Sequence, residues 1–258
     1  MAPLLEIQGL TKRYRKLTAV DGLNLRIEPG EFVGFIGPNG AGKSTTMGSI
    51  AGVLNPDEGN LKVGEVDILA DPIAARRQIS FVPQHLELYD YLTGLEYLQF
   101  VAGAKQMQDA ERDAQIEDLL EMAELTKAKH RLVKEYSGGM ARKLAICAAL
   151  LGPPKLLLLD ESFVGLDPES TFTLRKRLVQ FCEGGGAILL SSHILDMLER
   201  ICTRIVMLVD GQLVLDEPMA SLKSRFDAKD GVDTLTDLYM IKADKLGATE
   251  SVPEDSEE

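Results

Sequence analysis

The eight residues Gly37-Pro38-Asn39-Gly40-Ala41-Gly42-Lys43-Ser44 satisfy G-x-x-x-x-G-K-[ST] at every fixed position. They follow an apolar run and open a helical pattern, the context in which such a loop closes its backbone N–H groups around the phosphates of a nucleotide. Lys43 is placed to neutralise phosphate oxygens, the Ser44 hydroxyl can bind Mg²⁺, and the helix N-terminus adds positive potential. The loop by itself leaves several classes open: a GTPase, a kinase of small substrates, a helicase or a transport ATPase.

Two further groups narrow the chemistry. Leu156-Leu157-Leu158-Leu159-Asp160-Glu161 is an apolar strand ending in adjacent carboxylates. Asp160 at the strand end is placed to hold Mg²⁺, directly or through water, while Glu161 points the other way, where it can polarise an attacking water. His193 follows the apolar run Ala187-Ile188-Leu189-Leu190 and Ser191-Ser192, so it can face the same crevice and donate to a terminal phosphate. Gln84, just past the run Ile79 to Val82, can reach the metal or the water. His85 and His130 have no such placement, and no histidine cluster points to a transition metal. Ser137-Gly138-Gly139 opens a helix that runs through Ala141, Leu144, Ala145, Ala148 and Leu151. Its exposed N–H groups and serine hydroxyl form an anion site with no lysine of its own.

These residues need a frame. Phe32 to Ile36, Ile79 to Val82, Leu156 to Leu159, Ala187 to Leu190 and Ile205 to Val209 are short, nearly continuous apolar runs separated by helical patterns. They predict strands covered on both faces in a mainly parallel sheet. Period-two alternation at Leu5 and Ile7, then at Leu23, Leu25 and Ile27, predicts half-buried antiparallel strands instead. Asp210-Gly211 marks a hairpin into Gln212 to Leu215. Met47, Ile50, Ala51 and Leu54 have helical spacing, as do Ile116, Leu119, Leu120 and Ala123, and Asp71-Pro72 and Asp167-Pro168 offer helix N-caps. From about 86 to 152 only helical patterns occur. The expected fold class is therefore α/β: a P-loop core with an antiparallel β subdomain and an inserted all-helical subdomain. Residues 1–218 form the main domain, 219–247 a helical appendage with Leu235, Leu238 and Ile241 on one face, and 248–258 an acidic disordered tail.

Composition removes other classes. Aspartate and glutamate outnumber lysine and arginine 40 to 28, for a formal net charge of −12, which repels nucleic acid and argues against it as a partner. No uncharged run exceeds 13 residues, against the roughly 20 apolar ones of a spanning helix. No basic start followed by a long apolar stretch marks a secretory leader. Cys147, Cys182 and Cys202 are far apart and read as small buried residues in a reducing compartment.

Taken in order, these motifs resemble those of the nucleotide-binding subunits of ATP-binding-cassette (ABC) transporters, over about residues 4 to 217. The resemblance implies that Tyr14 stacks on adenine, that Gly37 to Thr45 bind the phosphates of ATP with Mg²⁺, and that Gln84 is the glutamine-loop residue. It implies further that Ser137-Gly138-Gly139 is the signature motif, Asp160 and Glu161 the metal ligand and base, Gly165-Leu166-Asp167 the following loop, and His193 the switch histidine. The implied fold is the ABC ATPase fold, and the implied unit is a head-to-tail dimer, with an identical or paralogous cassette, whose signature motif meets the γ-phosphate of the other subunit. Tyr136 stands where leucine is usual, Met140 where glutamine is usual and Ser162 where proline is common; none of these removes a phosphate, metal or base ligand.

The stretch His85-Leu86-Glu87-Leu88-Tyr89-Asp90-Tyr91-Leu92-Thr93-Gly94-Leu95-Glu96-Tyr97-Leu98 is similar to that of exporters whose permease is a separate polypeptide. Leu86, Leu88, Tyr89, Tyr91 and Leu92 then line a groove for a helix of an integral membrane permease, or belong to the core of the helical lobe. The resemblance thus implies an ATP-hydrolysing subunit held at the cytoplasmic face of the membrane through its permease. An importer ATPase and a non-transport cassette acting on a soluble assembly are the alternatives.

Overall fold

A computed structural model describes residues 2–152, 154–226 and 233–245. Its strands are β1 (Leu5–Tyr14), β2 (Leu17–Ile27), β3 (Phe32–Ile36), β4 (Glu58–Val63), β5 (Val66–Asp67), β6 (Ile79–Val82), β7 (Leu156–Asp160), β8 (Ala187–Ser191), β9 (Arg204–Val209) and β10 (Gln212–Pro218). Its helices are α1 (Lys43–Ile50), α2 (Pro72–Arg76), α3 (Gly94–Ala104), α4 (Asp109–Met122), α5 (Gly138–Leu150), α6 (Pro168–Glu183), α7 (Leu195–Ile201), α8 (Met219–Phe226) and α9 (Leu235–Lys245).

The five apolar runs all become strands, four of them inside the sheet and β6 at its edge. They form one sheet in the order β10-β9-β3-β8-β7-β6, parallel except for the β9–β10 hairpin. Alternation within each run explains why both faces are apolar. Val33, Phe35, Leu156, Leu158 and Leu189 pack with α1 and the antiparallel strands, whereas Phe32, Ile36, Leu157, Leu159 and Leu190 pack against the helices of the other face. The hairpin turns at Asp210 and Gly211, both with positive φ (48° and 78°), as a tight primed turn requires.

The second sheet is antiparallel, in the order β2-β1-β4-β5. Its strand β4, Glu-Gly-Asn-Leu-Lys-Val, carries too little apolar alternation to announce itself in the sequence; only Leu61 and Val63 are buried. Where it crosses β1, a Cβ on Gly59 would lie 2.6 Å from the Gly9 carbonyl, so glycine is the residue that permits the crossing. Helix α1 is shorter than the expected spacing: Ala51 caps it, and Leu54 instead folds back against Gly48.

Asp71 and Asp167 both act as N-caps, each accepting from a backbone N–H three residues on, with proline at the first helical position. Among the described residues from 86 to 152 the regular elements are helices alone, with one isolated bridge between Thr93 and Leu132. Leu235 and Leu238 of α9 are buried in the main core beside α7, and the Leu235 N–H donates to Glu199. The acidic stretch 248–258 lies outside the described residues. All three cysteines are buried free thiols, and desolvation pushes those of Cys147 and Cys182 up to about 12.

One side chain ties the two sheets together. Arg204 at the start of β9 donates to both carboxylate oxygens of Asp216 (2.5 and 2.7 Å), to Glu31 (3.1 Å) and to the Arg26 carbonyl at the end of β2 (2.9 Å). These partners hold the guanidinium above its ordinary range, the Asp216 hydrogen bond foremost. Arg204→Met is expected to lower the stability measured by urea unfolding by about 1–2 kcal/mol, a partly exposed network being partly screened. No change in the urea midpoint would show that the network contributes nothing.

Candidate active site

The parallel register decides the geometry. Phe35 of β3 stands beside Ser191 of β8, and Ser191 stands beside Asp160 of β7. The C-terminal ends of three neighbouring strands therefore release the phosphate loop, the segment bearing His193 and the acid pair into one crevice.

The loop between β3 and α1 is held by close backbone contacts. A Cβ on Gly37 would lie 2.2 Å from the Leu208 carbonyl, and one on Gly42 would lie 2.2 Å from the Ala19 carbonyl. Both glycines also have positive φ, 152° and 99°. No side chain caps the N-terminus of α1 and no acid stands in its first turn, which leaves its N–H groups for an anion. Lys43 is half-buried and turns its ammonium across the loop, donating to the carbonyls of Gly37 (2.6 Å) and Pro38 (3.0 Å). Burial lowers its pKa, with Glu161 and Asp160 opposing the shift. A desolvated cation held by neutral carbonyls has most to gain from a phosphate oxygen. Ser44 is exposed and Thr45 half-buried in the same turn.

Asp160 is buried, and the Ser191 hydroxyl donates to its carboxylate. The same hydroxyl oxygen and the Ser191 carbonyl both accept from the Glu161 N–H, each at 3.1 Å. Glu161 takes a left-handed backbone, φ 48°, which ends the strand and turns its side chain away from that of Asp160. Its Oε2 lies 2.8 Å from Nδ1 of the exposed His193. In this structure the histidine thus contacts the carboxylate. Gln84 is exposed, and its carbonyl accepts from Arg142 of α5 at 3.1 Å. Burial lowers the pKa of Arg142, while Asp160 and Glu161 act in the opposite direction.

The predicted anion site at the start of α5 takes a different position. Ser137 is the N-cap, its hydroxyl oxygen accepting from the Met140 N–H at 3.2 Å. Ser137 and Gly138 are exposed, and Gly139 backs onto the Gly165 carbonyl, 3.1 Å from where its Cβ would be. Asp167 spends its carboxylate locally: it caps α6 and accepts from the Ser170 hydroxyl at 2.6 Å, which in turn accepts from Lys143 of α5 at 3.1 Å. The Ser170 hydroxyl, then its N–H, keep the Asp167 carboxyl below its ordinary range. Tyr14, at the tip of the β1–β2 hairpin, is 42% exposed with Lys12 near its ring, an open aromatic face at the end of the strand pair that backs Gly42.

Ser191, Arg142 and the Lys143–Ser170 pair were not apparent from motif spacing. Ser191 closes an apolar run and faces Asp160 only because β7 and β8 are neighbours in that register, and no local pattern carries strand order.

Fold and crevice together define a P-loop nucleoside triphosphatase with an antiparallel strand layer and helices beside its phosphate loop. Comparison with known proteins sharpens this. Residues 20–164 match the family model described as "ABC transporter". The chain is 34% identical over 235 residues to the linearmycin resistance ATP-binding protein LnrL of Bacillus subtilis, covering 91% of this chain and 74% of that protein. It is 37% identical over 232 residues to ABC transporter A family member 1 of Dictyostelium discoideum, covering 87% of this chain but 26% of that much longer protein. Among solved structures, a dimeric post-hydrolysis state of the ATP-binding cassette MJ0796 bound to ADP and Pi has 28% identity and a TM-score of 0.78, covering 83% of this chain and 98% of that one. The chain belongs to the ABC transporter family, as an ATP-binding domain that binds and hydrolyses ATP.

If the Ser191 hydroxyl aims Asp160 and Glu161, Ser191→Ala is expected to lower kcat for ATP hydrolysis about 10- to 100-fold. A fluorescent-nucleotide titration should give an almost unchanged Kd. Parental kcat would show that neither carboxylate depends on that hydroxyl.

Proposed function

We propose that this chain is the ATP-hydrolysing subunit of an exporter, that it pairs head-to-tail with a second cassette on two ATP molecules, and that it drives a separate membrane permease. The observation that carries the reading is the exposed N-terminus of α5. Ser137 and Gly138 offer an anion site to solvent, with no hydrogen bond to the chain's own phosphate loop among the described residues. A γ-phosphate presented by a partner would complete it. That a similar cassette is dimeric with ADP and Pi supports pairing of two cassettes, and the relative named for linearmycin resistance supports export. No helix of the described residues is long and apolar enough to cross a membrane.

Within the composite site, Gly37 to Thr45 bind the phosphates, Lys43 leaves its loop carbonyls for phosphate oxygens, and Tyr14 stacks on adenine. The Ser44 hydroxyl, the Asp160 carboxylate and the Gln84 amide are hard oxygen donors that fit Mg²⁺ and would hold it. When bound, the ion neutralises phosphate charge. Glu161 orients a water and takes its proton as the water oxygen bonds to the γ-phosphorus and the bond to ADP breaks. His193, turning from Glu161, donates to the γ-phosphate. Asp167 contributes by ordering the segment that packs beside Gly139. Its carboxylate serves the α6 cap, so its part in nucleotide binding runs through the backbone at that contact.

For the permease the surface offers a cavity of about 580 Å³ between β6, α3 and α5, lined by Leu86, Leu88, Tyr97 and Val101. Of the residues expected there, Leu86 and Leu88 line it; Tyr89 and Tyr91 stand at 56% and 80% exposure outside it, and Leu92 is half-buried. A permease helix lying in the cavity would cover the exposed rings.

Glu161→Gln is expected to bind ATP, to form a stable dimer on it and to lose at least about 100-fold in hydrolysis. Hydrolysis at the parental rate would remove Glu161 as the base. Ser137→Arg should abolish ATP-driven dimerisation while leaving the monomer's Kd for ATP within about twofold; an equal loss of both would refute a site completed in trans. The deciding experiment is capture of tagged Glu161→Gln with MgATP from gently solubilised native membranes. Recovery of a multi-helix membrane protein supports the transport reading. Recovery of soluble partners alone, with dimerisation intact, replaces it with a non-transport ATPase.

A further inference from the structure

Two lysines in the described chain have their ammonium groups desolvated and held by neutral oxygens. One is Lys43 in the phosphate loop. The other is Lys105, immediately after α3, which no motif singles out. Its ammonium donates to the carbonyls of Leu151 (2.5 Å), Ala148 (3.3 Å) and Ala149 (3.3 Å) and to the Ser80 hydroxyl of β6 (3.1 Å). Those carbonyls are the C-terminal end of α5, the helix whose N-terminus carries Ser137. No basic residue of α5 itself stands in its last turn, so the cation that complements the negative end of the helix comes from a different element. No carboxylate forms an ion pair with Lys105 among the described residues, and burial alone pushes its pKa down to about 8. A desolvated ammonium held by four neutral oxygens, from the end of α5 and from β6, fixes the positions of those elements relative to α3, since displacing any of them leaves polar groups unpaired.

We propose that Lys105 is a positioning residue for the trans phosphate site: by joining α3, β6 and the C-terminal carbonyls of α5, it sets the direction in which α5 presents Ser137. Because α5 is a 13-residue helix, a small tilt at its C-terminal end displaces its N-terminus against a partner's γ-phosphate. Lys105 also lines the cavity between β6, α3 and α5. A helix seated in that cavity bears on the same side chain, so occupancy of the cavity and the aim of Ser137 meet at one ammonium. This assignment rests on the composite-site reading above.

The test uses the full chain without a permease. In Lys105→Met, whose side chain fills the same apolar path, kcat for ATP hydrolysis is expected to fall about tenfold. ATP-driven dimerisation, followed by light scattering in the Glu161→Gln background, should weaken in parallel. The Kd of the dilute monomer for ATP should stay within about twofold, and the thermal midpoint within about 3 °C. Lys105→Arg, which keeps donors for the carbonyls, should recover at least about half of kcat. Parental kcat and dimerisation in Lys105→Met would overturn the assignment. A fall in the thermal midpoint or in ATP affinity that matches the fall in kcat would also overturn it, since Lys105 would then serve packing alone. Ser137→Arg run alongside separates the two ideas. If it dimerises normally, the composite site itself fails and the assignment with it; if it does not dimerise while Lys105→Met does, only Lys105 is misassigned.

Discussion

The active crevice depends on one constraint, the parallel register that aligns the ends of β3, β8 and β7. Phe35, Ser191 and Asp160 lie in one row across the sheet, so Gly37 of the phosphate loop, His193 and Glu161 all follow within two residues of that row. The Ser191 hydroxyl fastens this row from within, donating to Asp160 and accepting from the Glu161 N–H. A slip of one residue at β8 would point the hydroxyl to the opposite face and leave a buried carboxylate unpaired.

Around this row the helices divide the work. Helix α1 brings an uncapped N-terminus to the chain's own phosphate loop, and α5 brings a serine-capped N-terminus to the surface. Helix α5 is wired to the crevice at several levels: Gly139 against Gly165, Arg142 to the Gln84 carbonyl, and Lys143 through Ser170 to Asp167. Any rotation of α5 therefore moves the segments that flank Glu161. That is the mechanical property a cassette needs if nucleotide state and partner position are to inform one another.

Much of this was legible in advance, for identifiable reasons. Gly37 to Ser44 is a local cradle: Gly37 and Gly42 are demanded by backbone contacts, so chemistry and spacing coincide in eight consecutive residues. The central strands announced themselves because burial on both faces leaves no room for polar residues, and Asp71 and Asp167 because capping is a three-residue affair. What escaped was non-local. Strand β4 is marginally apolar and exists because it pairs with β1. The end of α1 came early because Leu54 packs back on Gly48. The partners of Arg204 are drawn from β2, β10 and the turn before β3. The resemblance named the site residues but not the contact between His193 and Glu161, nor the engagement of Asp167 with Ser170.

The sequence by itself determined the class of chemistry: a phosphate loop, an acid pair at a strand end and a second exposed helix start capped by serine. Those features are set by residue type within a few positions, where chain connectivity fixes geometry. Only the tertiary structure decided which groups contact them, with Ser191 on Asp160, Arg142 on the Gln84 backbone carbonyl and Lys105 on the far end of α5. Each of these pairs joins elements distant in the chain, and their meeting follows from strand order and helix packing, which are cooperative outcomes of burying the whole apolar surface and leave no mark in any short stretch of residues.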